Sequence, residues 1–470
     1  MPTALAIALG VALAANPAPV PRPGDHATAP WDWASLGDET AAFLSGYLAI
    51  DTTNPPGREA AGAAHIAQKL AEAGITAEIH EVAPGRANLV ARVRAAAPTA
   101  PPLCLLSHID VASTEPERWS EPPFSGRIDE AGRVWGRGAL DMKGMGALEV
   151  VLMVQVARSG VPLRRDLVLL AVADEEGGNT GIAALAADWA RIGCSHVVNE
   201  GGIGIADMLF PGQTVFPISV AEKGILWARL EATGAPGHGS TPRPGQSPAA
   251  LLEAAKLLAS RRPVPRWDPA LVELLGAVGA HKGGLAGFVL QRPLLARTLV
   301  RPVMMGNPLT RAAMTDTVNL TGLGGALETN VVPATSWAHI DGRLLPGTAP
   351  EDLLAELQGL VRPAGATVVP VQMAPATVTD WRGDDLYAAL AHRAVEGRPD
   401  AVAGPVLSVG YTDSIALRPL GVKAYGFVPF VVTAEELGSM HGDNEYVTVD
   451  NLRDGLRTLS RAVLDVSAVP

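Results

Sequence analysis

Short runs of wholly apolar residues, each closed by a ligand-type side chain, constrain this chain more than any other feature. Leu103 to Ser107 is followed by His108, Leu167 to Ala173 by Asp174-Glu175-Glu176, and the shorter Val197 to Asn199 by Glu200. A strand with no polar face must be covered on both sides, which is the condition of parallel strands between two layers of helices. Helical stretches alternate with such runs from Trp31 to about Phe216, so the expected fold is α/β, a catalytic domain with a mostly parallel sheet covered by helices. The polar residue after each run then falls at the carboxyl edge of the sheet, where active sites of doubly wound folds gather.

The texture changes from about Ser219. Ala221 to Ala232 reads as a strand, Pro248 to Ser260 as a helix, Thr317 to Gly325 and Thr335 to Leu345 as strands, Ala349 to Val361 as a helix and Thr367 to Met373 as a strand. That βαββαβ order predicts a compact α+β layer over residues 219–377, inserted between a first part of the large domain (31–218) and a second (378–470). Arg261 to Asp316 interrupts the layer with a Pro- and Arg-rich stretch, read as an extra helical excursion.

The 470 residues leave room for two domains. A net charge of −11, with Lys and Arg scattered, excludes a nucleic-acid partner. Cys104 and Cys194 each adjoin an apolar stretch and read as two buried thiols, not as a disulfide or a thiolate metal site. The small apolar run Thr3 to Ala15 and the Pro-rich stretch Asn16 to Pro30 resemble a signal peptide and spacer, although Met-Pro-Thr brings no positive charge. A periplasmic or secreted protein is therefore expected, with the cytoplasm as the alternative. The run is too short for a membrane span of ~20 residues, and no other segment looks transmembrane.

Five segments hold candidate chemistry: Ser107 to Asp110, Gly136 to Gly144, Asp174 to Gly178, Asn199 to Gly202 and Met440 to Glu445. Alone, each is also what a hydrogen-bonded His, a helix N-cap or a solvated acidic turn looks like. Together they place His and carboxylate side chains where a buried charge needs a partner or a metal, and the mixture of imidazole and carboxylate without thiolate suits a catalytic zinc site. His108 and His441 would be neutral ligands. Asp141, Glu176 and Glu200 bring −3 against +4 from two zinc ions, a difference one bridging hydroxide cancels. Glu175 and Glu176 point opposite ways in an extended segment, so one ligand and one general base is the economical division.

These residues resemble the dinuclear-zinc aminoacylase and carboxypeptidase family of metallopeptidases, which includes acetylornithine deacetylase and succinyl-diaminopimelate desuccinylase. The likeness runs from Phe43 to Leu464. It implies that Asp141 bridges two Zn2+ ions, for which Co2+ or Mn2+ can substitute, with His108 and Glu200 completing one site and Glu176 and His441 the other. It makes Glu175 the general base and Asp110 the carboxylate that orients His108, and it puts a cis peptide at Asp141-Met142. The implied fold adds an inserted ferredoxin-like lid that often dimerises.

Gly237 to Pro242 resembles the lid motif whose His, here His238, reaches the active site, often from the partner subunit, to stabilise the oxyanion, a donor worth roughly 3 kcal/mol of barrier. Thr329 to Pro333, with Asn330, and Asp341-Gly342-Arg343 resemble lid segments that contact the substrate carboxylate, Arg343 being the natural fork. Otherwise His238 is a loop residue and Arg343 a strand-edge charge. Glu at position 200 resembles aminoacylase-like members. The excursion and Ser408 to Ser414 resemble instead the carboxypeptidase S and N-acyl-amino-acid hydrolase branch, which favours apolar groups before the scissile bond. The expected activity is cleavage of a peptide or N-acyl amide beside a free carboxylate, on a small peptide or N-acyl amino acid. A strict biosynthetic deacylase and a non-catalytic peptide-binding relative are the alternatives.

Overall fold

The computed structural model describes residues 22–208 and 210–469; the apolar run Thr3 to Ala15 lies outside them. Leu103–His108 and Leu167–Val172 are buried at every residue and pair in parallel from Leu103↔Leu167 to His108↔Val172. They sit in a nine-stranded sheet in which His196–Ala206 follows Leu103–His108 in parallel and Lys423–Val432 follows His196–Ala206 in the same sense. Antiparallel strands flank this run: Arg86–Val93 and Ala77–Ala83 on one side, Thr214–Glu222 and Thr377–Val378 on the other. The fold is α/β, as the apolar runs predict.

Helices cover both faces because the central strands Leu103–His108 and Leu167–Val172 are buried on both. Trp33–Leu48, Lys143–Ser159 and Val449–Ser467 close one side through Leu44, Leu48, Met145, Leu148, Leu456 and Leu459. Thr180–Ala187 and Ser414–Leu417 close the other with Ile182, Leu185 and Leu417.

A second, four-stranded sheet follows the predicted βαββαβ order, with Thr317–Gly324, Thr335–Leu344, Gly224–Thr233 and Ala366–Ala374 side by side and antiparallel. Its helices Ser247–Ala259 and Pro350–Val361 bury Leu251, Leu258, Leu353 and Leu357 against Leu226, Leu230 and Ile340. The strand read as Ala221 to Ala232 is in fact two, Thr214–Glu222 in the large sheet and Gly224–Thr233 in the small one. Lys223 marks the crossing. Its fully buried ammonium donates to the carbonyls of Ala312 and Thr315 and to Thr317 Oγ1, a pinning contact that no local sequence pattern announces.

Three further expectations are corrected. Cys104 and Cys194 form a disulfide; the strand Leu103–His108 pairs with His196–Ala206, which brings Cys194, two residues before that strand, beside Cys104. The excursion is helical, from Pro269–Lys282 to Pro308–Met314, but it packs through Leu274, Val278 and Met314 onto Val215 and Val402 of the large sheet, not onto the inserted layer with which residues 219–377 group it. Within the Pro-rich spacer, Pro23–Thr28 is a helix of the large domain, held by Asp25, which pairs with buried Arg393 and with Arg461.

Candidate metal centre

His108 is the last residue of its strand and fully buried, and its Nδ1 lies 2.9 Å from the backbone carbonyl of Asp110. A donor Nδ1–H there fixes the tautomer and frees Nε2 for a metal. The Asp110 carboxylate stands farther off, at 3.6 Å, so the resemblance's assignment of His108 to that carboxylate shifts toward the main-chain oxygen. Asp110 instead accepts from the backbone N–H of Glu175 and of Glu176, at 3.1 and 3.0 Å, and from Asn54 Nδ2 at 2.8 Å. It thereby holds the two glutamates at the sheet edge. Asp174, in the left-handed region at φ 70°, turns the chain there and is gripped by Asn54, Thr180 and Arg86.

Asp141 sits between Arg133–Trp135 and Lys143–Ser159, and its peptide bond to Met142 is cis, as the resemblance implies. The loop is fixed from behind. Glu445, wholly buried, accepts from the N–H groups of Gly138, Leu140 and Asp141 and from Arg137 Nη1 at 2.7 Å, while Arg137 also donates to the Gly442 carbonyl. Arg137 and Glu445 thus join the loop bearing Asp141 to the loop bearing His441. Gly144 is required at the helix start, since a Cβ would lie 2.1 Å from the Ala139 carbonyl oxygen.

The five predicted ligands converge. His108 Nε2 is 3.1 Å from Asp141 Oδ1 and 3.8 Å from Glu200 Oε1; His441 Nε2 is 3.1 Å from Asp141 Oδ2 and 2.9 Å from Glu176 Oε1. Asp141 therefore offers one oxygen to each imidazole. Glu175 and Glu176 fall in different groups: Glu175 lies with His108 and Glu200, and Glu176 with His108 and Asp141, the ligand atoms of each group within 4.8 Å of one another. Glu200 lies inside the strand His196–Ala206 and not at its end, because the strand runs on through Gly201 and Gly202. His441, at φ 57°, is the most open member, with 54% of its side chain exposed.

The electrostatics describe a cluster short of positive charge. Burial, then the Glu200 charge, raise the Glu175 pKa well above the usual range, and burial with the Asp141 charge do the same to Glu200. The nearby carboxylates of Asp141 and Glu176, against burial, raise His441 to about 10. Asp413 is buried with neither carboxylate oxygen hydrogen-bonded among the described residues, and burial pushes it up to about 8. Glu176 Oε1 approaches His441 Nε2 without making a hydrogen bond, as two ligands aimed at a common cation would. A donor set of oxygen and imidazole nitrogen alone fits divalent zinc or a related ion.

The second layer contributes at a distance. Arg343 gives Nε and Nη2 to Asp341, at 2.7 and 3.1 Å, and its buried Nη1 has no partner among the described residues. Its guanidinium lies 5.6 Å from the Trp227 ring centroid and 5.6 Å from that of Tyr411, whose hydroxyl accepts from Asn179 just beyond the two glutamates. His238 pairs across a two-stranded ribbon with Val331, beside Asn330; its Nδ1 contacts Ser240 Oγ at 2.8 Å. Among the described residues no hydrogen bond joins His238 or Asn330 to the cluster. Sequence reasoning missed Asn54, Asp174 and the Arg137–Glu445 pair as organisers. Arg137 and Glu445 lie in the quoted segments, and their charge at a buried loop was the available signal.

The family model described as peptidase family M20/M25/M40 matches residues 104–465. The human N-fatty-acyl-amino acid synthase/hydrolase PM20D1 is 28% identical over 381 residues, covering 79% of this chain and 75% of its own. Rat aminoacylase-1A is 26% identical over 436 residues, covering 90% and 94%. In fold, the M20 metallo-carboxypeptidase Sso-CP2 of Sulfolobus solfataricus superposes with a TM-score of 0.68 at 17% identity, over 91% of this chain and 99% of that one. Human carnosine dipeptidase 1 does so with a TM-score of 0.64 at 16% identity, over 95% and 99%. With the family model spanning well over half of its length, the chain belongs to peptidase family M20/M25/M40.

Proposed function

We propose that this protein hydrolyses a peptide or N-acyl amide bond beside a free carboxylate, with two zinc ions held by His108 and Glu200, by Glu176 and His441, and by Asp141 between them. The observation that carries this reading is the division of Asp141, one oxygen toward each imidazole, with Glu175 beside the pair. When bound, the ions supply Lewis acidity toward the amide carbonyl and acidify water. Glu175, whose carboxylate takes no hydrogen bond among the described residues, removes the proton of the attacking water and returns it to the departing amine nitrogen. Asp110 keeps Glu175 and Glu176 on their separate sides through their backbone N–H groups.

The carboxylate of the substrate falls to Arg343, whose free Nη1 is a donor in want of an acceptor, with Asn330 beside it in the role the resemblance gives. His238 would reach the oxyanion from a second copy docked through the small sheet, a homodimer in which that layer acts as a lid. The disulfide supports a periplasmic or secreted enzyme, since such bonds persist in oxidising compartments; protein recovered from cells with both thiols open to alkylation would contradict it.

An apolar cavity of about 380 Å³ opens beside Glu200 and supports an apolar acyl group on the other side of the scissile bond. Ile203, Ile205 and Val428 of the large sheet wall it, with Leu271, Leu274 and Ala313 of the excursion opposite. Leu140 and Met440, each preceding a predicted ligand, stand at its mouth. The names of the N-fatty-acyl-amino acid hydrolase and aminoacylase relatives point the same way.

Three experiments test these assignments. Glu175→Gln should retain both metals and the fold while losing about 100- to 10,000-fold in turnover or more, whereas Glu176→Gln should lose one metal by elemental analysis; near-normal activity in a fully metallated Glu175→Gln protein contradicts the base. Arg343→Ala should raise KM for free-carboxylate substrates and leave that for their amides unchanged, and His238→Ala should lower kcat by roughly 100-fold with little change in KM; equal losses on acids and amides remove Arg343 from its role, and an unchanged kcat removes His238. Along a series of N-acyl amino acids from acetyl to octanoyl, kcat/KM should climb by up to about fourfold per methylene. Ala313→Trp should flatten the climb while sparing the acetyl substrate, and a climb as steep as that of the parent protein would place the acyl chain elsewhere.

A further inference from the structure

The excursion has two sides. Leu274, Leu275, Val278, Leu290, Met304 and Met314 are buried against the large sheet, which satisfies the need of these helices for a core. Yet Leu285, Phe288, Leu294, Leu299, Val303 and Leu309 are left between 46% and 81% exposed, within a single stretch of chain. Scattered exposed leucines are ordinary, but a succession of them on helices that already have a core is surplus apolar surface awaiting a partner.

The charge around that surface says which partner. From Leu274 to Thr315 the chain carries Lys282, Arg292, Arg297, Arg301 and Arg311 and not one Asp or Glu, in a protein whose net charge is −11. The basic residues that look scattered along the whole sequence are thus local here, and among the described residues none of the four arginines pairs with a carboxylate; Arg292 lies over the Phe288 ring. Exposed aliphatic and aromatic side chains interleaved with arginine are what an interfacial segment offers to an anionic lipid surface, the apolar groups entering the headgroup boundary and the guanidinium groups meeting phosphate. A second copy is a poorer occupant, because a two-fold pairing of this face would set arginine against arginine.

Leu309 belongs to both surfaces: it is exposed with the other outward residues, and with Thr310 and Ala313 it lines the apolar cavity beside Glu200. We propose that the face formed by residues 285–309 docks on an anionic lipid surface, so that a substrate with an apolar tail passes from that surface along Leu309 into the cavity. The docking face stands on its exposure and charge; only the passage of substrate rests on the proposed hydrolase reading. No helix among the described residues is long and apolar enough to cross a membrane.

The test is flotation of the full chain with vesicles of phosphatidylcholine alone and of phosphatidylcholine mixed with phosphatidylglycerol. The parent protein should float with the mixed vesicles, less so at high salt, and hardly with the neutral ones. Arg297→Gln with Arg301→Gln should weaken binding to mixed vesicles roughly thirtyfold, at about fivefold for each arginine. Leu294→Ser with Leu299→Ser and Val303→Ser should abolish it on both, and each variant should keep the parent's thermal melt and its rate on a soluble N-acetyl substrate. A parent protein that ignores mixed vesicles, or variants that float as it does, overturns the proposal. So does a concentration-dependent dimer that the triple serine variant alone dissolves. Absence of amide hydrolysis with lipid binding intact would defeat the hydrolase reading and leave the docking face standing.

Discussion

Asp110, Asp141, Glu175, Glu176, Glu200 and Asp413 crowd one edge of a sheet whose interior offers them little water, and their mutual repulsion is the term to which the rest of this structure answers. Two imidazoles cannot neutralise so many carboxylates, and among the described residues no Lys or Arg is bonded to the predicted ligands. The fold holds the acids in place with backbone N–H groups, and with Asn54, Arg86 and Arg137 bonded to Asp110, Asp174 and Glu445 behind them. Such an arrangement is costly unless divalent cations complete it, which makes metal binding part of the stability of the site as well as of its chemistry.

The residues that bind and those that organise differ in how plainly the sequence displays them. His108 and Glu175-Glu176 follow fully apolar runs, and a buried strand ending in a ligand-type residue is a local pattern. Arg137 meets Glu445 across 308 positions and Asn54 reaches Asp110 and Asp174 across 56 and 120, and no local pattern carries that information. Glu200 is legible as a ligand-type residue after a short apolar run but not as a mid-strand one, because the strand continues through Gly201 and Gly202 to Ala206.

The same reasoning explains the remaining misreadings. Cys104 looks like one more apolar residue of a buried strand, and only the parallel pairing of that strand with His196–Ala206 discloses that Cys194 is its neighbour. The order of the small layer was legible, except for where its first strand leaves the large sheet, because its alternating strands and amphipathic helices satisfy themselves locally. The excursion was not, for its inner side chains are complementary to Val215 and Val402, residues far away in sequence. The apolar cavity beside Glu200 is lined on the excursion's side by Leu271, Leu309 and Ala313.

The most direct measurement is anomalous diffraction at the zinc absorption edge from crystals of the zinc-loaded protein. The account predicts two peaks ~3.5 to 4 Å apart, one contacted by His108 and Glu200 and the other by Glu176 and His441, with an oxygen of Asp141 on each. A single peak, or a pair of which Asp141 touches only one, would contradict it.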